Sequence, residues 1–477
     1  MKALGVGGEE LTTQINMTKI TVIGAGSASF GENTLAAILR SKKLHGASLA
    51  LVDRNARSLD IVQRLANRLN RDWQAGFTIS AHTHHAAALP ESDFVVSAIE
   101  VGPREELWRS DYQIPLKHGV RQPYAENGGP GGFAHTLRNV GPVMEIVHAM
   151  QQACPEAWFI NFTNPMVRIC DAVSRHSQIK VVGLCHQVHI GYVMVAMALA
   201  AELGIQVPEG ITGMHSDLLQ IQLRDPLQRA AEERLEILAA GLNHFTWILS
   251  IRDKRTGEDL YPLFRRRWSE LPAGFEPLTR QVFADFGLFP VPGDTHLCEY
   301  LPWVSDPVTR PWEKFNLRLY DWDLWAGLRD YGLHSLGEMA SGRMEITGLL
   351  EADSEGALEM IENIACAGGH YHLAANLPNV GQITNLPAGA IVETPAYVNG
   401  AGIHPVHVGP LPQAIAELCR RELVLGQLCV DAAIEGSYQK ALQCLLLDSV
   451  MSDADIARLI LDDYLSAYRE HLPQFWQ

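Results

Sequence analysis

Lys19-Ile20-Thr21-Val22-Ile23-Gly24-Ala25-Gly26-Ser27-Ala28-Ser29-Phe30-Gly31 decides how this chain of 477 residues is read. The run Lys19–Ile23 is rich in β-branched side chains and reads as a short buried strand. Gly24 permits a tight turn out of it, and Gly26 lets the backbone come close to a pyrophosphate. A helical pattern follows, with Leu35, Ile38 and Leu39 on one face, and its N-terminus offers free N–H groups to an anion. Ser27 and Phe30 lie in the same turn and are read with it as dinucleotide contacts. The spacing is GxGxxxxG rather than GxGxxG, so the turn alone also suits an α/β protein with no cofactor. The next strand, Leu49-Ala50-Leu51-Val52-Asp53, ends in an acid placed to accept hydrogen bonds from an adenosine ribose. An acid there would repel a 2′-phosphate, which favours NAD over NADP.

Working outward, Asp93–Ile99, Trp158–Asn161 and Lys180–Leu184 read as further buried strands with helical stretches between them. That alternation implies a parallel sheet wound on both faces. In the second half, residues 231–241, 345–375 and 415–470 read as helical. The expected architecture is α/β: a Rossmann-type doubly wound sheet with a second, mostly helical α+β lobe. Residues 1–16 form an N-terminal extension, 17–200 the NAD-binding domain, and 201–477 a domain for substrate, metal and oligomerisation.

Composition narrows the function classes. Hydrophobic residues make up 47% and charged residues 19%, values of an ordinary globular chain. A formal charge of -16 works against nucleic-acid binding, because it repels phosphate backbones. The eight cysteines include no CxxC pair and are too sparse for a disulfide framework, which points to a reducing compartment. No apolar run reaches the roughly 20 residues a membrane span needs, and no secretory signal is evident. The expectation is a cytoplasmic protein without nucleic-acid or membrane partners.

Several clusters could carry chemistry. Asn161-Phe162-Thr163-Asn164-Pro165 follows a strand where Rossmann-type sheets place substrate; turn formation before Pro165 explains it equally well. Cys185-His186 ends the strand Lys180–Leu184, and a thiolate and imidazole there are plausible ligands for a divalent metal, although a buried cysteine is also an ordinary core residue. His244 sits between Asn243 and aromatic residues. Gly293-Asp294-Thr295-His296-Leu297-Cys298-Glu299 gathers ionisable groups; in a helix His296 and Glu299 would be neighbours at i, i+3. Gln122–Phe133 contains Glu126 and a dense set of glycines, flanked by Arg104 and Arg138, and suggests backbone folded close to a ligand.

Together these stretches, with Asn376–Thr394 (NLPNVGQITNLPAGAIVET), resemble glycoside hydrolase family 4, the NAD- and metal-dependent glycosidases. The resemblance runs from about Lys19 to at least Thr394. It implies that Cys185 and His244 bind a divalent metal, usually Mn²⁺. It also implies that Asn164 binds substrate, with Arg104, Glu126 and His296 beside it, and that Asp294 is the catalytic base. His186 stands where members acting on 6-phosphosugars carry Asp or Asn, which implies an unphosphorylated sugar and a catalytic position. The implied reaction is oxidation at C3 by NAD⁺, deprotonation at C2, elimination of the leaving group, water addition and re-reduction. The motifs are most similar to the α-galacturonidase-like branch, although Gln187 departs from the residues associated with known specificities, so an α-glucoside or α-galactoside is also open. A plain 2-hydroxyacid or sugar dehydrogenase is the alternative from another class. Members commonly form homodimers or homotetramers, so self-association is expected, with a small-molecule glycoside as the other partner.

Overall fold

A computed structural model describes residues 18–27, 31–122, 124–215 and 218–476. The N-terminal extension 1–16 and Phe30 lie outside the described residues.

The strands are β1 (Lys19–Ile23), β2 (Ser48–Val52), β3 (Thr78–His82), β4 (Phe94–Ser97), β5 (Trp158–Asn161), β6 (Lys180–Gly183), β7 (Leu235–Leu242), β8 (Phe245–Asp253), β9 (Phe289–Pro290), β10 (Gly369–Pro378), β11 (Ile391–Asn399) and β12 (Gly402–Pro405). They join one sheet in the order β3-β2-β1-β4-β5-β6-β10-β11-β7-β8-β9, with β12 paired to β11. The first six run parallel to one another, as the alternation of strands and helices predicts. Both faces are covered. Ile23, Val52, Val95 and Val181 pack on one side with residues of the helices 129–153, 166–176 and 413–435. Val22, Leu51, Val96 and Val182 pack on the other with the helices 31–40, 56–72 and 357–365. Strands apolar on both faces are the signature of a sheet buried on both sides. The strand order reverses at β1, between β2 and β4, which opens a crevice at the carboxyl ends of the strands.

The sheet does not stop where the first lobe ends. β10 runs antiparallel to β6 through Asn376 and Gly183, and β11 meets β7 through Glu393 and Gly241. The second lobe is therefore grafted onto the edge of the Rossmann-type sheet and carries more strand than its sequence suggests. Residues 231–241 are a correction: the helix Leu218–Arg234 gives way to β7, where buried Leu235, Ile237 and Ala239 alternate with outward positions. Leucine and alanine favour a helix, but the period-two burial and the hairpin with β8 override that preference. Residues 345–375 are helical only in part, over Ala357–Ala365 and a short turn at Thr347–Glu351, before β10 begins. Residues 415–470 are three helices, as expected. β3, Thr78–His82, has no apolar run and a mostly half-exposed pattern, so hydrophobicity gave no sign of it.

Candidate active site

At the crevice, Gly24 has φ +84°, and a Cβ there would lie 2.2 Å from the carbonyl oxygen of Ala98. The Gly26 N–H donates to Asp53 Oδ2 at 2.8 Å, and the Asn55 N–H donates to Asp53 Oδ1 at 2.8 Å. A Cβ on Gly26 would stand 2.7 Å from that same Asp53 oxygen and 2.8 Å from Ser58 Cβ. The Ser27 N–H returns to the Gly24 carbonyl at 3.1 Å. Gly24, Gly26, Ser27 and Asp53 thus form one tight corner at the strand reversal. Neither glycine has room for a side chain, and the corner stands at the carboxyl ends of the strands, where a sheet of this order can take a dinucleotide with Asp53 on the ribose side.

Further along the crevice, Cys185 Sγ lies 3.4 Å from His244 Nε2. His244 forms the turn of the β7–β8 hairpin at φ +52°, and its N–H donates to Gln187 Oε1 at 2.9 Å. The His244 ring stacks on the ring of His296 with centroids 4.4 Å apart. His296 Nδ1 bonds Glu299 Oε1 at 2.9 Å and lies 4.0 Å from Glu126 Oε2. Glu126 Oε1 in turn accepts from Arg104 Nη2 at 2.6 Å and from Asn164 Nδ2 at 3.4 Å. An unbroken line of contacts therefore joins Cys185, His244, His296, Glu126, Arg104 and Asn164, residues drawn from positions 104 to 296 of the sequence.

Two carboxylates hold this line in place. Glu299 Oε2 accepts the N–H groups of Glu126, Asn127 and Gly128 at 2.8, 2.7 and 3.1 Å, fixing the loop that carries Glu126. Glu100 lies 3.0 Å from His135 Nε2 and 3.8 Å from Arg104. Burial alone would push the Glu100 carboxyl up, but His135 and Arg104 outweigh it and bring it down to about 2. For His296 burial works downward, and Glu299 and Glu126 more than offset it, holding the imidazole above its ordinary value. Burial, with help from His296 and His186, pushes His244 well below its ordinary value, so it is a neutral imidazole with a lone pair to give.

Other residues stand apart from this line. The side chain of His186 is 63% exposed at the mouth and faces Glu355 at 3.3 Å, and the charge of Glu355 raises its pKa. Asp294 accepts from the N–H groups of Leu278 and Thr279 at 3.0 and 2.7 Å, capping the helix Pro277–Phe286, while its own N–H donates to Glu276 Oε2 at 2.5 Å. Burial and the neighbouring Glu276 push the Asp294 carboxyl well above the usual carboxylate range. Arg138 is a correction: it makes two 2.6 Å bonds to Asp111 in the core and is not offered to a ligand. So are the glycines after Asn127. They start the helix Gly129–Ala153, and a Cβ on Gly131 or Gly132 would meet Ala125 or Asn127 at 2.5 or 2.3 Å, so the close approach is to the protein's own loop. Glu100, His135 and Glu393 were not singled out by sequence as site residues, whereas the expected i, i+3 contact of His296 with Glu299 is present at 2.9 Å. The signal for Glu393 was available: a carboxylate inside the apolar strand Ala390-Ile391-Val392 is costly to bury without partners.

The donor set at Cys185 and His244 also fits a divalent metal. The Cys185 thiol contacts Nε2 of a neutral imidazole, a soft and a borderline donor of the kind a divalent cation takes. Burial pushes the Cys185 thiol far up, and cation coordination is what would ionise it.

A sequence profile described as "Family 4 glycosyl hydrolase" matches residues 19–203, and that of the "Family 4 glycosyl hydrolase C-terminal domain" matches 239–451. The chain belongs to glycosyl hydrolase family 4. This family 4 enzyme is 28% identical to an α-glucosidase of Erwinia rhapontici, over 94% of this chain and 97% of that one. It is equally 28% identical to an α-galactosidase of Bacillus subtilis (96% and 100% covered) and to an α-galacturonidase of Thermoanaerobacterium saccharolyticum (91% and 91%). Among solved structures, a Bacillus subtilis protein provisionally described as a glucosidase superposes with a TM-score of 0.80 at 25% identity, covering 94% of this chain and 99% of the other. A 6-phospho-α-glucosidase from gut microorganisms, crystallised with NAD and Mn²⁺, shares the fold with a TM-score of 0.76 at 23% identity, covering 96% and 99%. The protein is thus a glycoside hydrolase of Rossmann-like α/β fold, and among the described residues no helix is long and apolar enough to cross a membrane.

Proposed function

We propose that this glycosidase cleaves an unphosphorylated α-glycoside using NAD⁺ and Mn²⁺. The observation that carries the reading is the contact of Cys185 with His244 at the head of the line of polar residues ending at Asn164. Gly24, Gly26, Ser27 and Asp53 would hold the dinucleotide, and Cys185 and His244 would hold the metal. When bound, NAD⁺ takes and returns a hydride at the sugar while the metal ion acts as a Lewis acid on the oxidised carbon's oxygen. Asn164, Arg104, Glu126 and His296 orient the sugar hydroxyls. Asp294, its pKa raised by burial and Glu276, removes the proton next to the oxidised carbon. His186, exposed and facing Glu355, is assigned the protonation of the leaving group.

Charge balance bears on the sugar. Arg104 faces Glu126 and Glu100, His296 faces Glu299, His135 faces Glu100, and His186 faces Glu355. Each cation of the cluster is matched by a carboxylate. Among side chains alone that balance suits a neutral α-glucoside or α-galactoside, whereas a bound divalent cation with an ionised Cys185 would add one net positive charge, which an acidic sugar would meet. The α-galacturonide expected from the motifs is the second reading, supported by the exposed, cation-prone His186 at the mouth.

The test is a panel of p-nitrophenyl α-glucoside, α-galactoside and α-galacturonide with NAD⁺, Mn²⁺ and a thiol reductant. Nitrophenol release without net NADH supports the reading. Stoichiometric accumulation of NADH would make the protein a dehydrogenase instead. Self-association into a homodimer or homotetramer belongs to the same proposal and is checked by light scattering.

A further inference from the structure

Glu393 lies in the middle of β11 and is 1% exposed. Its Oε1 accepts from Asn243 Nδ2 at 2.9 Å and from Asn376 Nδ2 at 3.0 Å, and its Oε2 accepts from Thr246 Oγ1. The two amides donate, and the Thr246 hydroxyl shares its single proton between Glu393 Oε2 and the Leu242 carbonyl. The carbonyl oxygens Oδ1 of Asn243 and Asn376 are buried without partners, so both amides are turned to present N–H to this one carboxylate. Burying a carboxylate is costly, and these donors offset the cost only in part, since burial still holds the Glu393 carboxyl above its ordinary value.

The partners are placed with respect to the metal pair. Asn243 precedes His244 in the hairpin turn, and its side chain also reaches Cys185. Asn376 donates a second bond to the carbonyl of Gly183, the last residue of β6 and two before Cys185, at 3.3 Å. Thr246 follows His244 by two residues and closes back on the Leu242 carbonyl at 2.8 Å. β6 and β7 are not neighbours; β10 and β11 lie between them, joined to them through the pairs Asn376–Gly183 and Glu393–Gly241. One side chain thus grips both ends of the span that Cys185 and His244 must bridge.

We propose that Glu393 is the positioning residue of the Cys185–His244 pair, fixing through Asn243, Thr246 and Asn376 the separation and orientation at which the two can share one divalent cation. It touches neither substrate nor cation. The inference rests on the metal reading given above.

The test measures Mn²⁺ affinity by titration followed by electron paramagnetic resonance of free Mn²⁺, NAD⁺ affinity by fluorescence, and thermal unfolding, on the wild type and on Glu393→Gln, Asn243→Ala and Cys185→Ser. Glu393→Gln keeps the shape but sets an NH₂ group against donors. The expected result is Mn²⁺ affinity weakened by about 10- to 100-fold in Glu393→Gln, the range for lost outer partners of metal ligands, and by about tenfold in Asn243→Ala. NAD⁺ affinity stays as in the wild type. If Glu393→Gln does not fold, Asn243→Ala carries the same question with the carboxylate intact. Wild-type Mn²⁺ affinity in both variants, whatever their melting temperatures, overturns the proposal while a Cys185→Ser loss leaves the metal reading standing. Wild-type Mn²⁺ affinity in Cys185→Ser overturns the metal reading, and this proposal with it.

Discussion

Cys185 and His244 meet at 3.4 Å although the strands that deliver them, β6 and β7, are held apart in the sheet by β10 and β11. The chain must fold its second lobe onto the first to create that contact, so the site needs both lobes. Cys185→Ser removes a soft ligand while conserving volume. We expect loss of Mn²⁺ binding and of Mn²⁺-dependent activity, with NAD⁺ affinity unchanged, because the glycine turn is built separately. Binding assays for both ligands on the same preparation check this, and undiminished, chelator-sensitive activity in the variant sinks the assignment.

Asp294 combines two jobs that one substitution can separate. Its carboxylate caps the helix Pro277–Phe286, and Glu276 beside it raises its pKa. Asp294→Asn keeps one acceptor, so stability falls by about 0.5 to 2 kcal/mol, measured by urea unfolding. Activity falls by about 10²- to 10⁴-fold if Asp294 is the base. A stability loss with near-normal turnover would leave it a cap alone. Glu276→Gln removes the like charge, so the acid limb of kcat/KM moves to lower pH; the pH–rate profile of the two enzymes shows the direction.

What the sequence revealed follows from how local each signal is. The corner at Gly24, Gly26 and Asp53 is made within two adjacent strands, so its residues could be read in a line. Cys185, His186 and His244 announced themselves because chemically capable residues end strands. Gln187 did not explain itself, since its partner is the backbone of His244, 57 residues on. Glu299 and Glu393 work by gripping backbone and amides from distant segments, 173 and 150 residues away. β7 was misread because leucine and alanine suit a helix until a hairpin partner is known.

Glu100 and His135 form a buried pair whose contributions to stability run in opposite pH directions. The Glu100 carboxyl is depressed to about 2 in the folded protein, so its contribution is complete above its ordinary value and is lost as pH falls toward 2. His135 is raised: burial works against its charge, but Glu100 outweighs burial, so its contribution is complete below its ordinary value and is lost as pH rises through the folded pKa. Glu100→Gln should flatten both limbs, lowering the melting temperature most between about pH 4.5 and 6.5, where both charges are present. Melting temperatures of the two proteins across that range would refute the pairing if they differed by a constant.

Gly26 offers the sharpest test of the cofactor corner. Its φ is not in the left-handed region, so alanine is tolerated by the backbone, and space alone opposes it. The added Cβ would stand 2.7 Å from Asp53 Oδ2 and 2.8 Å from Ser58 Cβ. Asp53 must therefore move, and with it the hydrogen bond from the Gly26 N–H and the carboxylate assigned to the ribose. Gly26→Ala should weaken NAD⁺ binding by about tenfold or more, the loss of roughly 1.4 kcal/mol or more of binding. Mn²⁺ affinity should be untouched, because Cys185 and His244 follow β6 and β7 while Gly26 follows β1. Gly24→Ala is the harsher control: φ is +84° and the Ala98 carbonyl stands 2.2 Å from the new atom, so that variant should lose stability as well as NAD⁺. Fluorescence titration with NAD⁺ and a melting curve on each variant separate the two. A Gly26→Ala protein that binds NAD⁺ like the wild type would show that the dinucleotide does not lie against this turn.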